Sequence, residues 1–121
     1  MDKQVANSRL QVINKVPTTG GAIIGVRGSL EGAIIAIDKD MTLTIGRDPK
    51  NCNVIMEGEY VSRIHFSLNY NPEDETYMLR DFSTNGVILQ NGQVTKKGSC
   101  VKLKGGQHIC IGTYSEEILL R

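Results

Sequence analysis

Three short polar segments of this 121-residue chain hold side chains able to grip an oxyanion: Gly46-Arg47-Asp48, Tyr60-Val61-Ser62-Arg63-Ile64-His65 and Asp81-Phe82-Ser83-Thr84-Asn85-Gly86. Together they carry two guanidinium groups, several hydroxyls and an amide. Arg offers fixed, forked, charge-assisted donors, and hydroxyls and turn N–H groups add neutral ones. Phosphate, with about −1.5 to −2 charges at neutral pH, is the anion that employs so many donors at once. If each charge-assisted bond contributes roughly 1.5–3 kcal/mol net, a few of them plus backbone contacts reach the roughly 8 kcal/mol of micromolar binding.

The same residues do not compose a catalytic or metal set. There is no G-x-S-x-G elbow, P-loop or H-E-x-x-H signature, and Ser62 near His65 lacks the separate orienting acid of a triad. His108 is a strand residue without a second ligand at metal spacing. No cofactor is expected. The three cysteines, Cys52, Cys100 and Cys110, are odd in number and show no C-x-x-C spacing. They read as small buried hydrophobes, not as a disulfide framework.

Fourteen Lys and Arg stand against thirteen Asp and Glu, a formal net charge of +1. That balance supplies no general pull toward nucleic acid or anionic membrane, so any anion site is local. The longest apolar run, Ala33 to Ile37, is far short of the roughly 18 residues of a membrane span. Met1 to Gln11 lacks the apolar stretch of a secretory signal. A cytoplasmic location is the expectation, for the chain alone or as a module of a larger protein.

Loops can share a site only if a scaffold brings them together. From Ala22 onward, short β-branched or apolar segments alternate with Gly, Asn, Asp and Pro at intervals of about ten residues, the pattern of a sandwich or barrel. Strands are expected at Ala22–Arg27, Ala33–Asp38, Met41–Ile45, Asn53–Met56, Ile64–Tyr70, Tyr77–Asp81, Val87–Leu89, Cys100–Leu103, His108–Ile111 and Glu117–Leu120. Phe66, Leu68 and Tyr70 interleave with Ser67 and Asn69, which suits antiparallel sheets with one wet face. No segment has the cap, period and stop of an amphipathic helix. Residues 1–21 end in Pro17-Thr18-Thr19-Gly20-Gly21 and read as a flexible tail or linker, with the folded domain at 22–121.

In order and spacing, the three polar segments and the later Asn91-Gly92 and Leu103-to-Gly112 stretch resemble the forkhead-associated (FHA) domain family. The resemblance implies an all-β, two-sheet antiparallel β-sandwich of about eleven short strands whose apical loops bind phosphothreonine in an extended peptide. It implies that Arg47 contacts the phosphate and braces the loops, that Ser62 donates its hydroxyl, and that Arg63 adds positive charge. Thr84 would close the pocket, and Asn85 would bond the peptide backbone. Gly46, His65 and Gly86 would support the loops. Val87, where the family often has Thr, and the nearby acids Glu57 and Glu59 depart from the pattern. The implied partner is a phosphothreonine-containing protein in signalling or regulated assembly, with a phosphate-independent scaffold as the alternative. Thr18 and Thr19 offer a further target: once phosphorylated, the tail could fold back into the domain's own pocket, although an inert linker is the simpler reading.

Overall fold

Strict alternation of apolar and polar side chains builds two sheets whose inner faces share one core. The computed structural model describes residues 20–121, so the expectations for Thr18 and Thr19 lie outside the described residues. Its ten strands are β1 (Gly21–Arg27), β2 (Ile34–Ile37), β3 (Thr42–Gly46), β4 (Val54–Ile55), β5 (Phe66–Asn71), β6 (Thr76–Asp81), β7 (Val87–Ile88), β8 (Cys100–Lys104), β9 (His108–Ile111) and β10 (Glu117–Leu120). One sheet has the order β2-β1-β10-β9-β7 and the other β4-β3-β5-β6-β8. Ile23, Ile35 and Ile118 from the first sheet meet Leu43, Ile45, Leu68 and Leu79 from the second, all buried. Each such side chain contributes roughly 1.5–3 kcal/mol through burial, enough to fix the scaffold independently of its loops. Tyr77 adds a polar tie between the sheets: its hydroxyl accepts from Ala22 N at 2.9 Å and lies 3.2 Å from Ala22 O.

Ten strands among the described residues agree with the family-implied count of about eleven, but two expectations need correction. The sheets are not wholly antiparallel: β4 runs parallel to β3, with Ile45 opposite Val54 and Gly46 opposite Ile55. The short connection succeeds because Asn53 splices the returning chain onto the β3 edge. Its backbone N donates to Thr44 O, its Oδ1 accepts from Thr44 N at 2.8 Å, and its Nδ2 donates to Thr42 O at 3.0 Å. Finally, Cys52 and Cys110 are buried but Cys100 is exposed. Strand β8 turns Leu103 inward, and period two then carries Cys100 to the wet face.

His108 sits exposed on β9 and pairs with Glu117, Nδ1 to Oε2 at 2.7 Å. Among the described residues no helix is long and apolar enough to cross a membrane. Strand β5 sets the long axis that matters for function. It leaves the polar loops at Phe66 and runs to Tyr70, whose ring stands against Gly21, so the chain enters β1 at the end opposite those loops.

Candidate functional site

The three polar segments become the β3–β4, β4–β5 and β6–β7 connections, and backbone bonds stitch them at one end of the sandwich. Arg47 N donates to Ser62 O at 3.0 Å, Asp48 N to Arg63 O at 3.1 Å, and Phe82 N to His65 O at 2.9 Å. Gly46 permits this approach: a Cβ there would lie 2.3 Å from Arg63 O. Gly86 adopts φ +82, and a Cβ on it would meet Val94 at 2.5 Å.

His65 is fully buried and links two of the loops. Its Nδ1 accepts from Ser62 N at 3.0 Å, and its Nε2 lies 2.7 Å from Gly86 O. An acceptor at Nδ1 places the ring proton on Nε2, so the neutral imidazole donates to Gly86. Burial holds its pKa below the ordinary value, against the upward pull of the Gly86 bond and the Asp81 charge. A second proton would also oppose the Ser62 N–H across a donor–donor contact. Because the folded value is depressed, the resulting stability is fully present above the ordinary value of about 6.5 and is lost as pH falls through the folded value. Denaturation midpoints are therefore expected to drop on acidification below about pH 6.5, with His65→Gln showing a shallower drop in the same titration.

The β6–β7 turn has its own buried organiser. Asp81 Oδ1 accepts from Ser83 N and Ser83 Oγ, both at 2.6 Å, and its Oδ2 accepts from Thr95 Oγ1 at 2.5 Å. Ser83 Oγ in turn accepts from Gly86 N at 2.7 Å. These bonds hold Thr84 and Asn85 outward. Asp81 and Ser83 fell inside a polar segment visible in the sequence, but their supporting role depends on the turn geometry.

The side chains that remain free face a shallow cleft of about 910 Å³. Arg47, Ser62, Arg63 and Thr84 all line it. Arg47 uses Nε to donate to Val61 O, which orients the guanidinium and leaves its other N–H groups available. Ser62 Oγ accepts from Thr84 N at 3.1 Å, so its O–H proton remains free to donate. Arg63 is largely exposed and only 3.9 Å from Asp48, a weak pairing that a stronger anion can displace. Asp48 lines the cleft as well, its pKa lowered first by the Lys50 backbone N–H and then by the Asn51 amide. It stays ionised and structurally occupied, anchoring the β3–β4 turn.

Asn85 stands outside this lining and donates from Nδ2 to Tyr60 O at 3.1 Å. One amide hydrogen and Oδ1 are left for another partner. Glu57 and Glu59 also stand outside the lining, and Val87 is buried on β7. Thr44, Ser67, Arg80 and Lys97 also line the cleft and had no signal in the motifs. They are separated in sequence and converge only through strand register and the β7–β8 connection.

A β-sandwich whose stapled end loops present an oriented guanidinium and free hydroxyls to an open, cation-lined cleft defines a binding module built for an anionic group. The FHA domain model matches residues 43–112, and the chain belongs to the FHA domain family. It is 30% identical over 106 residues to the probable serine/threonine-protein kinase fhkA of Dictyostelium discoideum, a match covering 81% of this chain and 18% of that protein. The chain thus spans under a fifth of that relative. Among solved structures, the FHA domain of CT664 protein from Chlamydia trachomatis superposes with TM-score 0.70 at 23% identity, covering 83% of this chain and 94% of that one. The N-terminal FHA domain of Rad53p from S. cerevisiae, in complex with a phosphothreonine peptide, gives TM-score 0.64 at 27% identity, covering 84% and 90%.

Proposed function

We propose that this module binds phosphothreonine-containing segments of partner proteins through its apical cleft and has no catalytic activity of its own. The observation that carries the reading is the Arg47–Ser62–Thr84 arrangement: a guanidinium oriented by Val61 O beside a serine whose acceptor side is occupied and whose donor side is open. In the proposed complex Arg47 and Ser62 Oγ contact the phosphate, Arg63 leaves Asp48 to add charge, and the Thr84 turn closes one side. Asn85 bonds the peptide main chain with the amide groups that Tyr60 leaves free. Gly46, His65 and Gly86 hold the loops at the spacing that phosphate requires. Membership of the family and the phosphothreonine complex of the Rad53p domain support the same ligand class. The proposed setting is intracellular signalling or regulated assembly.

Calorimetric titration with matched threonine and phosphothreonine peptides tests the reading. The phosphopeptide is expected to bind at about micromolar Kd and the unmodified peptide at least about tenfold more weakly, since several charge-assisted bonds depend on the phosphate. Equal affinities would replace phosphate recognition with a phosphate-independent scaffold role. Recovery of the phosphopeptide unchanged is expected, whereas release of inorganic phosphate would contradict a pure reader.

A further inference from the structure

The cleft does not end at the apical loops. It continues onto the solvent face of the sheet containing β3, β5, β6 and β8, where Thr44, Ser67 and Arg80 form one cross-strand row: Thr44 lies opposite Ser67, and Ser67 opposite Arg80. Lys97, from the β7–β8 connection, joins Arg80 in the lining. Both cations are exposed, and among the described residues neither has an ion-pair partner. The outward positions of these strands carry hydroxyls, amides, Met78, Cys100 and lysines, with no carboxylate. Lys102 on this face is paired with Asp74 and Asp48 lines the apical part of the cleft, which leaves Arg80 and Lys97 as unpaired cations beside the proposed phosphothreonine pocket.

We infer that Arg80 and Lys97, with Ser67 and Thr44, form a second phosphoryl subsite, so that the module favours peptides carrying two phosphorylated residues. The inference rests on the phosphothreonine reading of the apical loops. Charge-assisted donors combined with neutral hydroxyls match a phosphate dianion better than a carboxylate, which has two oxygens and one charge. Adjacent strands are about 4.8 Å apart, so the row places both kinds of donor within reach of one group. Ser67 lies two positions beyond His65 and Arg80 four before Thr84, spans of about 7 and 13 Å in extended backbone. A second phosphoserine or phosphothreonine two to four residues from the first would therefore reach it.

The test is a peptide series at fixed ionic strength: unphosphorylated, singly phosphorylated, doubly phosphorylated at separations of two, three and four residues on either side, and the same peptides with Glu in the second position. Each is titrated into the native chain and into Arg80→Gln/Lys97→Gln, whose changed side chains are exposed. A second phosphate is expected to improve Kd by about tenfold at one or two separations, with Glu gaining much less. The double variant should lose that gain, read within each protein as the ratio of its Kd values for the singly and doubly phosphorylated peptides. Absence of a gain at every separation, an equal gain from Glu, or a gain surviving in the variant would each overturn the subsite while leaving the apical pocket standing. Equal binding of unphosphorylated and singly phosphorylated peptides would instead remove the apical reading, and this inference with it.

Discussion

Arg47→Ala is expected to reduce affinity for a singly phosphorylated peptide by at least about 2 kcal/mol, roughly 30-fold, while leaving the fold intact. The two halves of that expectation have separate causes. Arg47 is exposed and contributes nothing to the core, so the sandwich survives its loss. Its guanidinium, however, is the cleft cation most firmly directed by a backbone partner, and removing it deletes charge-assisted donors that Arg63 cannot replace from its loose association with Asp48. Isothermal titration paired with thermal melting checks both halves, and unaltered binding would contradict the pocket. Ser62→Ala should weaken binding less, since it deletes a single neutral donor and the acceptor for Thr84 N.

Gly46→Ala is expected to act in the opposite manner, harming stability first and binding as its consequence. Arg63 O, 2.3 Å from the added Cβ, is not free to withdraw. It accepts from Asp48 N at 3.1 Å and from Cys52 Sγ at 3.1 Å, and Ser62 O beside it accepts from Arg47 N. Separating β3 from the β4–β5 loop would disturb these bonds together. Overpacking of this kind costs about 1–3 kcal/mol, and the backbone character of the obstacle puts the expected value in the upper part of that range. Urea denaturation should show the lowered midpoint, and phosphopeptide affinity should fall even though no proposed ligand-contacting side chain has changed. A variant of native stability and native affinity would show that the loops are not clamped at Gly46.

Much of the scaffold was legible because period-two alternation directly encodes which side chains enter a core. Phe66, Leu68 and Tyr70 are buried on β5 while Ser67 and Asn69 face outward, and all ten expected segments became strands within two residues of their anticipated ends. Cys100 could have been placed correctly by the same rule, since Leu103 fixes the phase of β8; residue type misled where periodicity would not. The parallel β3–β4 pairing was hidden for a different reason. It depends on one side chain, Asn53, substituting for ladder bonds, and nothing in the local pattern announces that. Of the residues singled out in the motif loops, Arg47, Ser62, Arg63 and Thr84 line the cleft and Asn85 stands outside it, a division that the loop sequences alone do not encode. Arg80 and Lys97 were invisible as site residues because each resembles an ordinary exposed cation until strand register sets it beside hydroxyls from β3 and β5.

The point at which the chain enters β1 decides where a handle can be attached without touching the cleft. Gly21 packs against Tyr70, at the far end of β5 from the phosphate-gripping loops, and five residues of strand between Tyr70 and His65 span roughly 17 Å. A reporter or surface tether attached at Gly20 should therefore leave the cleft open to a phosphopeptide, whereas one placed on the β6–β7 turn would stand beside the lining residue Thr84.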